Sequence, residues 1–345
     1  MKLKILLLLI TIGLLPLIAV AQDEKAVDSG VFSLYFENDL FTGTDRQYTN
    51  GVRLTWISSE LKRSQKNSRL TRRIYSITKN FFFINKRKFK HFISISIGQN
   101  IYTPNDIKLS KPINEDRPYA GITYFGVGFN SQSNSTLHSL EFDVGIVGPQ
   151  SGAEECQKIV HKIIGATHPN GWANQLKDEL GLGITYDYKL KLLKSSINQN
   201  FGYDLIMHMG GSLGNVYTGA GSGVEMRFGW KLPRDFGVYF IRPCSSSLDS
   251  IGKYHSNFFH HQQFRIYFFG SVDGQAVLRN IFLDGNTFQN SPRVEKKPFT
   301  AKIMTGMTIY IRHFKVSSAL VWQTKSFKTQ RENHVYGSIN LSYSY

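Results

Sequence analysis

Long apolar runs are scarce in this chain of 345 residues. Beyond the first twenty or so positions no stretch of 18 consecutive apolar residues occurs, which excludes a membrane-spanning helix from the rest of the sequence. Cysteine is almost absent. Cys156 and Cys244 are the only two, so at most one disulfide can form, and they lack the paired spacing of a structural metal site. Acidic residues are the minority charge, 25 against 41 Lys and Arg, for a net charge of +16 that suits anionic partners such as lipid phosphates. Sustained helical periodicity is rare, and there is neither a Gly-rich phosphate loop nor a strand-turn-helix Ser elbow.

The opening residues, MKLKILLLLITIGLLPLIAVA, set Lys2 and Lys4 ahead of an apolar run closed by Ala19-Val20-Ala21, the three parts of a secretory signal. Residues 1–21 are therefore expected to be a signal peptide, and 22–345 a single domain. Export also argues against nucleic acid as a partner for the basic stretch 59–90, which carries eleven Lys or Arg between residues 61 and 90 and no acid. Aromatic residues beside those cations suit a membrane interface.

Period-two alternation dominates the rest of the chain. In YTNGVRLTW, Tyr48, Val52, Leu54 and Trp56 share one face and Thr49, Gly51, Arg53 and Thr55 the other. HFISISIG sets Ile93, Ile95 and Ile97 against Ser94, Ser96 and Gly98, and LEFDVGIVG sets Leu140, Phe142, Val144 and Ile146 against Glu141, Asp143 and Gly145. One face uniformly apolar and the other charged is the pattern of a barrel with lipid outside and a polar lumen. The alternating runs predict strands at 31–37, 47–58, 91–100, 121–130, 137–147, 183–192, 199–210, 218–231, 262–273, 300–312, 314–325 and 334–345. The expectation is all-β: an antiparallel transmembrane β-barrel of about 12 strands, with short helices in an external loop and a terminal strand ending on Tyr345.

With the first strand rising from the periplasm, the connections 37–46, 101–120 and 148–182 fall outside. They gather Asn38, Asp39, Asp45 and Arg46, then Tyr102, Asp106, Asp116 and Arg117, then Glu154, Gln157 and His161. The third includes a helical stripe of Cys156, Ile159, Val160, Ile163 and Ile164, with Gln157, Lys158 and His161 opposite. Ester hydrolysis needs a base for water and stabilisation of an oxyanion, for which His161 and a hard cation held by Asp39 are candidates. Turn chemistry and surface histidines account for the same residues without any activity.

The fragments ENDLF, TDRQYTNG, IYTP, DRPYAG, GPQSG, QKIVHKIIGA and GWANQL occur in this order, and together the chain resembles the outer-membrane lipid A 3'-O-deacylase family from about Glu37 to Leu182. That resemblance implies a barrel of about a dozen strands in the bacterial outer membrane, and the chain is expected to act as a monomer. It further implies a site near the outer leaflet and Ca²⁺-dependent removal of the 3'-linked acyloxyacyl group from lipid A within lipopolysaccharide. By motif, His161 matches the general base, Asn38 and Asp39 the first-loop polar pair with Asp39 near the metal, and Thr49 a hydroxyl facing the site, on the inward face by alternation. Lipid A phosphates would be met by Arg46, Arg117 or a basic residue of the IYTP segment, Lys108 or Lys111. Where relatives carry an acid after the His, this chain has Thr167-His168; Glu154 or Glu155 is a candidate substitute, and the residue orienting His161 stays open. Two rivals share the barrel: an outer-membrane phospholipase with an activated Ser, and a non-catalytic barrel that binds or passes small molecules.

Overall fold

The computed structural model describes residues 30–39, 47–61, 89–198, 200–238 and 264–345. Its strands are β1 (Val31–Asn38), β2 (Gln47–Ile57), β3 (Lys90–Thr103), β4 (Ala120–Gln132), β5 (Thr136–Val147), β6 (Glu179–Ser196), β7 (Phe201–Gly214), β8 (Tyr217–Trp230), β9 (Arg265–Asn280), β10 (Phe299–Ile311), β11 (Phe314–Gln323) and β12 (His334–Ser344). Each pairs antiparallel with its neighbours, and β1 pairs with β12 from Val31↔Ser344 to Asn38↔Gly337, which closes a twelve-stranded barrel. All the alternating runs are strands. The main difference is length: β6 extends to Glu179 and Ser196 and β9 to Asn280. At such ends both faces meet water or protein, so alternation stops before the strand does.

Lumen-facing and outward-facing residues separate as the alternation requires. Leu54, Ile97, Phe125, Phe142, Leu182, Phe268 and Ile303 are exposed on the outer wall, while Ser94, Ser96, Glu141, Asp143, Asp204 and Arg227 are buried within. Burying such charges is tolerable only when they are paired. Arg53 Nη2 accordingly meets Glu141 Oε1 at 2.5 Å and Ser96 Oγ at 3.0 Å. No described helix is long and apolar enough to cross a membrane, and the strands supply the span.

The Tyr345 amide donates to Gly30 O at 3.2 Å, so both described ends lie at one rim. At that same rim residues 231–238, after β8, turn back into the lumen. Arg227 donates to both oxygens of Asp204, at 2.8 and 2.5 Å, and its Nη1 pairs with Asp235. Tyr310 Oη donates to Asp235 at 2.5 Å, and Lys189 Nζ donates to the Phe236 and Val238 carbonyls at 2.8 and 3.3 Å. One short segment is thus bonded to β6, β8 and β10, reaches β7 only through Arg227, and stops the barrel at that end. Residues 62–88, most of the basic stretch, lie outside the described residues, as do the leader, Arg46 and Cys244.

Candidate active site

The opposite rim carries the helix α1 (Ala153–Ile164), whose polar and apolar faces are reversed from those of a helix in water. Ala153, Gln157 and His161 form its buried face, whereas Ile159 and Ile163 are 59% and 53% exposed. Polar residues turned inward and isoleucines turned outward suit a neighbour made of lipid. The helix sits on the outside of the barrel wall. The Ser151 carbonyl, just before α1, accepts from Gln99 Nε2 at 2.8 Å and Thr123 Oγ1 at 2.7 Å, two residues in register with outward Ile97 and Phe125. Gly121 permits this contact, since a Cβ there would lie 2.1 Å from Ala153 Cβ. Ile101, Ile107, Tyr119, Ala153 and Trp172 complete the apolar packing beneath the helix.

His161 is held by the residues just after the helix. Gly165 ends α1 at φ 64°, the chain reverses, and the Thr167 carbonyl returns to 2.5 Å from His161 Nδ1. A carbonyl can only accept, so Nδ1 carries the proton and, in the neutral ring, Nε2 carries the lone pair. Neither Glu154 nor Glu155 is the partner of Nδ1. Glu154 instead pairs with Lys158 at 2.5 Å and accepts from Gln175 at 3.4 Å, and Glu155 is exposed.

The expected inward parity of Thr49 is also corrected. A bulge breaks the β2–β3 register between Tyr48 and Asn50. Below it Gly51 faces the lumen opposite Asn100, and Tyr48 joins that side, its hydroxyl 1.8 Å from where a Gly51 Cβ would stand and its ring packed on Tyr102 and Tyr336. Thr49 goes the other way. Its hydroxyl lies 2.7 Å from that of Thr103, two residues beyond Ile101, which belongs to the packing under the helix. Asn50 is opposite Ile101 and Asn38 opposite Asn50, so Asn38, Asn50 and Thr49 share the outer side with α1. A bulge inserts one residue and flips the register beyond it, so strict period-two reading fails there.

Arg117 separates from this group. It is buried, its guanidinium lies 4.6 Å over the Tyr102 ring, and it lines a lumen cavity with Tyr48, Lys297, Lys302 and His334. Burial lowers it to about 10, so it stays charged at neutral pH. Asp116 ties the same loop together, accepting from Asn105 N at 2.6 Å and Gln47 Nε2 at 3.3 Å. Lys108 and Lys111 are exposed on the β3–β4 connection. That connection is stitched to the loop after α1: the Lys108 and Ser110 carbonyls accept from Asn170 Nδ2 at 3.1 Å and Asn174 Nδ2 at 2.7 Å.

A family model described as "Outer membrane protein LpxR" matches residues 5–345. The chain belongs to the LpxR family. The ordered motifs from ENDLF to GWANQL point the same way. The solved structure of LpxR from Salmonella typhimurium shares the fold, with a TM-score of 0.71 at 19% identity over 91% of this chain and 99% of that one. The β domain of the Bordetella autotransporter BrkA reaches only 0.42 at 6% identity, over 92% of this chain and 100% of that one. No curated protein sequence matches.

In this LpxR-family barrel the donors on the outer side are the Asn38 amide and the Thr49–Thr103 hydroxyl pair, and the Asp39 carboxylate is fully buried directly after β1. No group of three or more His, Cys, Asp or Glu able to hold a metal is present among the described residues. Oxygen donors without thiolate suit a hard cation such as Ca²⁺, which also takes backbone carbonyls, rather than zinc. Sequence reading missed the bulge and the pairing of Gln157 with Trp172, whose Nε1 donates to Gln157 Oε1 at 2.8 Å. A Gln on the buried face of a helix whose exposed face holds isoleucines was the available signal.

Proposed function

We propose that this outer-membrane LpxR-family protein is a Ca²⁺-dependent ester hydrolase that removes the 3'-linked acyloxyacyl group from lipid A. The observation that carries the reading is the position of His161: buried, with its tautomer set by Thr167 O, on a helix that lies against the outer wall and shows isoleucines to the lipid. An ester of a lipid in the outer leaflet is the substrate such a base can reach without the substrate leaving the membrane.

His161 Nε2 takes a proton from water as the water oxygen bonds to the ester carbonyl carbon, and the carbonyl oxygen becomes the oxyanion. The same nitrogen returns the proton to the sugar oxygen as the carbon–oxygen ester bond breaks, leaving a fatty acid and a free hydroxyl. Thr167 O stabilises the imidazolium between these steps. Asn38 and Thr49 orient the polar edge of the substrate from the wall. Asp39 would hold Ca²⁺, which supplies Lewis-acid polarisation of the ester carbonyl when bound. The proposal includes an exported, monomeric chain.

Two observations weigh against the rivals. Residues 231–238 stop the lumen, which opposes a channel. His91 Nδ1 does meet Ser131 Oγ at 2.9 Å, but Ser131 is fully buried near the rim of the termini, unsuited to a lipid-facing nucleophile. Mass spectra of lipid A from cells expressing the wild type and His161→Ala test the reading. Loss of the 3'-linked group only with the wild type is the expected result. Unchanged lipid A with a folded wild-type barrel overturns it.

A further inference from the structure

Arg117 belongs to the connection between β3 and β4, yet its side chain enters the lumen, where it is 6% exposed with the guanidinium over the Tyr102 ring. Its Nε is shielded from solvent and has no hydrogen-bond partner, and no carboxylate pairs with the guanidinium among the described residues. The adjacent Asp116 is engaged elsewhere. Its carboxylate accepts from Gln47 Nε2 at 3.3 Å and from the backbone amides of Asn105 and Arg117 at 2.6 and 2.8 Å. Burying a cation without a counter-ion is costly, and the face of a tyrosine offsets only part of that cost.

The cavity that Arg117 lines lies inside the rim that carries α1 and has a volume of about 90 Å³. Lys297 and Lys302, just before and within β10, approach it from across the barrel, and its lining includes no Asp or Glu. Lys297 also forms no ion pair among the described residues. Asp273, opposite Lys302 in the β9–β10 register, bonds His208 Nε2 at 2.6 Å and accepts from Ser271 at 3.1 Å. On the β2 side the Tyr48 hydroxyl is a second shielded group with no hydrogen-bond partner. At roughly 10–15 Å³ for each water, the cavity holds several waters, and so one phosphate-sized group but not a lipid.

We propose that this cavity is a phosphate-binding site inside the lumen, anchored by Arg117 with Lys297 and Lys302 supplying the remaining positive charge. The planar fork of a guanidinium matches two phosphate oxygens at once, and a dry, acid-free pocket strengthens the attraction. The ligand is inorganic phosphate or the phosphate end of a sugar phosphate, both of which present the same group. The site stands apart from the ester chemistry, because the barrel wall separates it from His161 on the outer side.

The test is calorimetric titration of the folded full-length barrel in zwitterionic detergent with inorganic phosphate and with glucose 6-phosphate, at constant ionic strength in sodium chloride. Folding is checked by the migration of unheated barrel on gels. Wild type is expected to bind one phosphate per barrel saturably. Arg117→Gln should weaken binding by about 10–100-fold, as expected for lost hydrogen bonds to a charged group, and Lys297→Gln by a smaller factor. Lys328→Gln, which removes an exposed cation from the same rim, should leave the affinity unchanged. Tighter binding of inorganic phosphate assigns a free anion and tighter binding of glucose 6-phosphate a saccharide-borne one, and either supports the site. The proposal is overturned by the absence of saturable binding of both probes, by wild-type affinity in folded Arg117→Gln and Lys297→Gln, or by an equal response to added sodium chloride. A wild type that binds phosphate but releases no acyl group from lipid A would overturn the esterase reading and leave this site standing.

Discussion

Gly121→Ala should cripple the enzyme while sparing the barrel. A Cβ at Gly121 would lie 2.1 Å from Ala153 Cβ and 2.7 Å from Ser151 Oγ. Carbon atoms in contact sit about 3.5–4.0 Å apart, so the start of α1 must back away from the wall by about 1.5 Å. Misplacing reacting groups by about 1 Å can cost about 10²-fold in rate, and His161 rides on the displaced helix. The expected loss is therefore about 10²-fold or more in initial rate of acyl release, followed by mass spectrometry. Strand content and the heat-modifiable gel shift of the folded barrel should stay unchanged, because β4 keeps its ladder with β3 and β5. Gly121→Ala combined with Ala153→Gly removes the nearer clash and should restore most of the activity. Wild-type activity in folded Gly121→Ala would refute the claim that the seating of this helix on the outer wall sets the site, and failure of the double variant to recover would say that Ser151, not Ala153, limits the approach.

Further perturbations separate the parts. Chelation of Ca²⁺, or Asp39→Ala, should abolish acyl release while leaving the barrel folded; undiminished activity in chelator would remove the metal from the reading. Thr49→Val keeps the shape but breaks the hydroxyl pair with Thr103, and a fall of about two- to tenfold in kcat/KM, on the order of one lost neutral hydrogen bond, is expected in the same assay. Arg227→Ala strands Asp204 and Asp235 without their partner, a loss of about 3–5 kcal/mol for a buried pair, and should loosen the 231–238 plug. Planar-bilayer recordings should then show current that the wild type lacks, and a silent variant would assign the seal elsewhere. Burial raises the Cys156 thiol above its usual value, so the thiolate fraction at a given pH is reduced and grows only on further alkalinisation. Alkylation by iodoacetamide at neutral pH should accordingly be slower than for a free thiol in an unfolded chain, and equal rates would contradict it.

The barrel was legible because its signal is local and repeated. Ile93, Ile95 and Ile97 against Ser94, Ser96 and Gly98 state the pleat of β3 without any tertiary information, and the same holds for β5 and β12. The sequence by itself therefore determined the fold class, the strand set and the family, since each depends on short-range pattern or on ordered motifs. It also marked His161, because an imidazole on a helical segment is visible as a residue type. Tertiary structure decided where these groups point. The bulge at Tyr48–Asn50 sends Thr49 to the lipid side and Tyr48 to the lumen, an outcome set by pairing with β3 rather than by composition. The reversal at Gly165 brings Thr167 O to His161 in place of a carboxylate, and a returning backbone carbonyl leaves no mark on side-chain pattern. Arg117 leaves the outer group for the lumen because its guanidinium settles on Tyr102, a contact between a loop and a strand. Alternation reports which face a residue occupies relative to its neighbours in one strand. Which side of the wall holds the chemistry depends on what packs against that wall, and only the folded chain contains that.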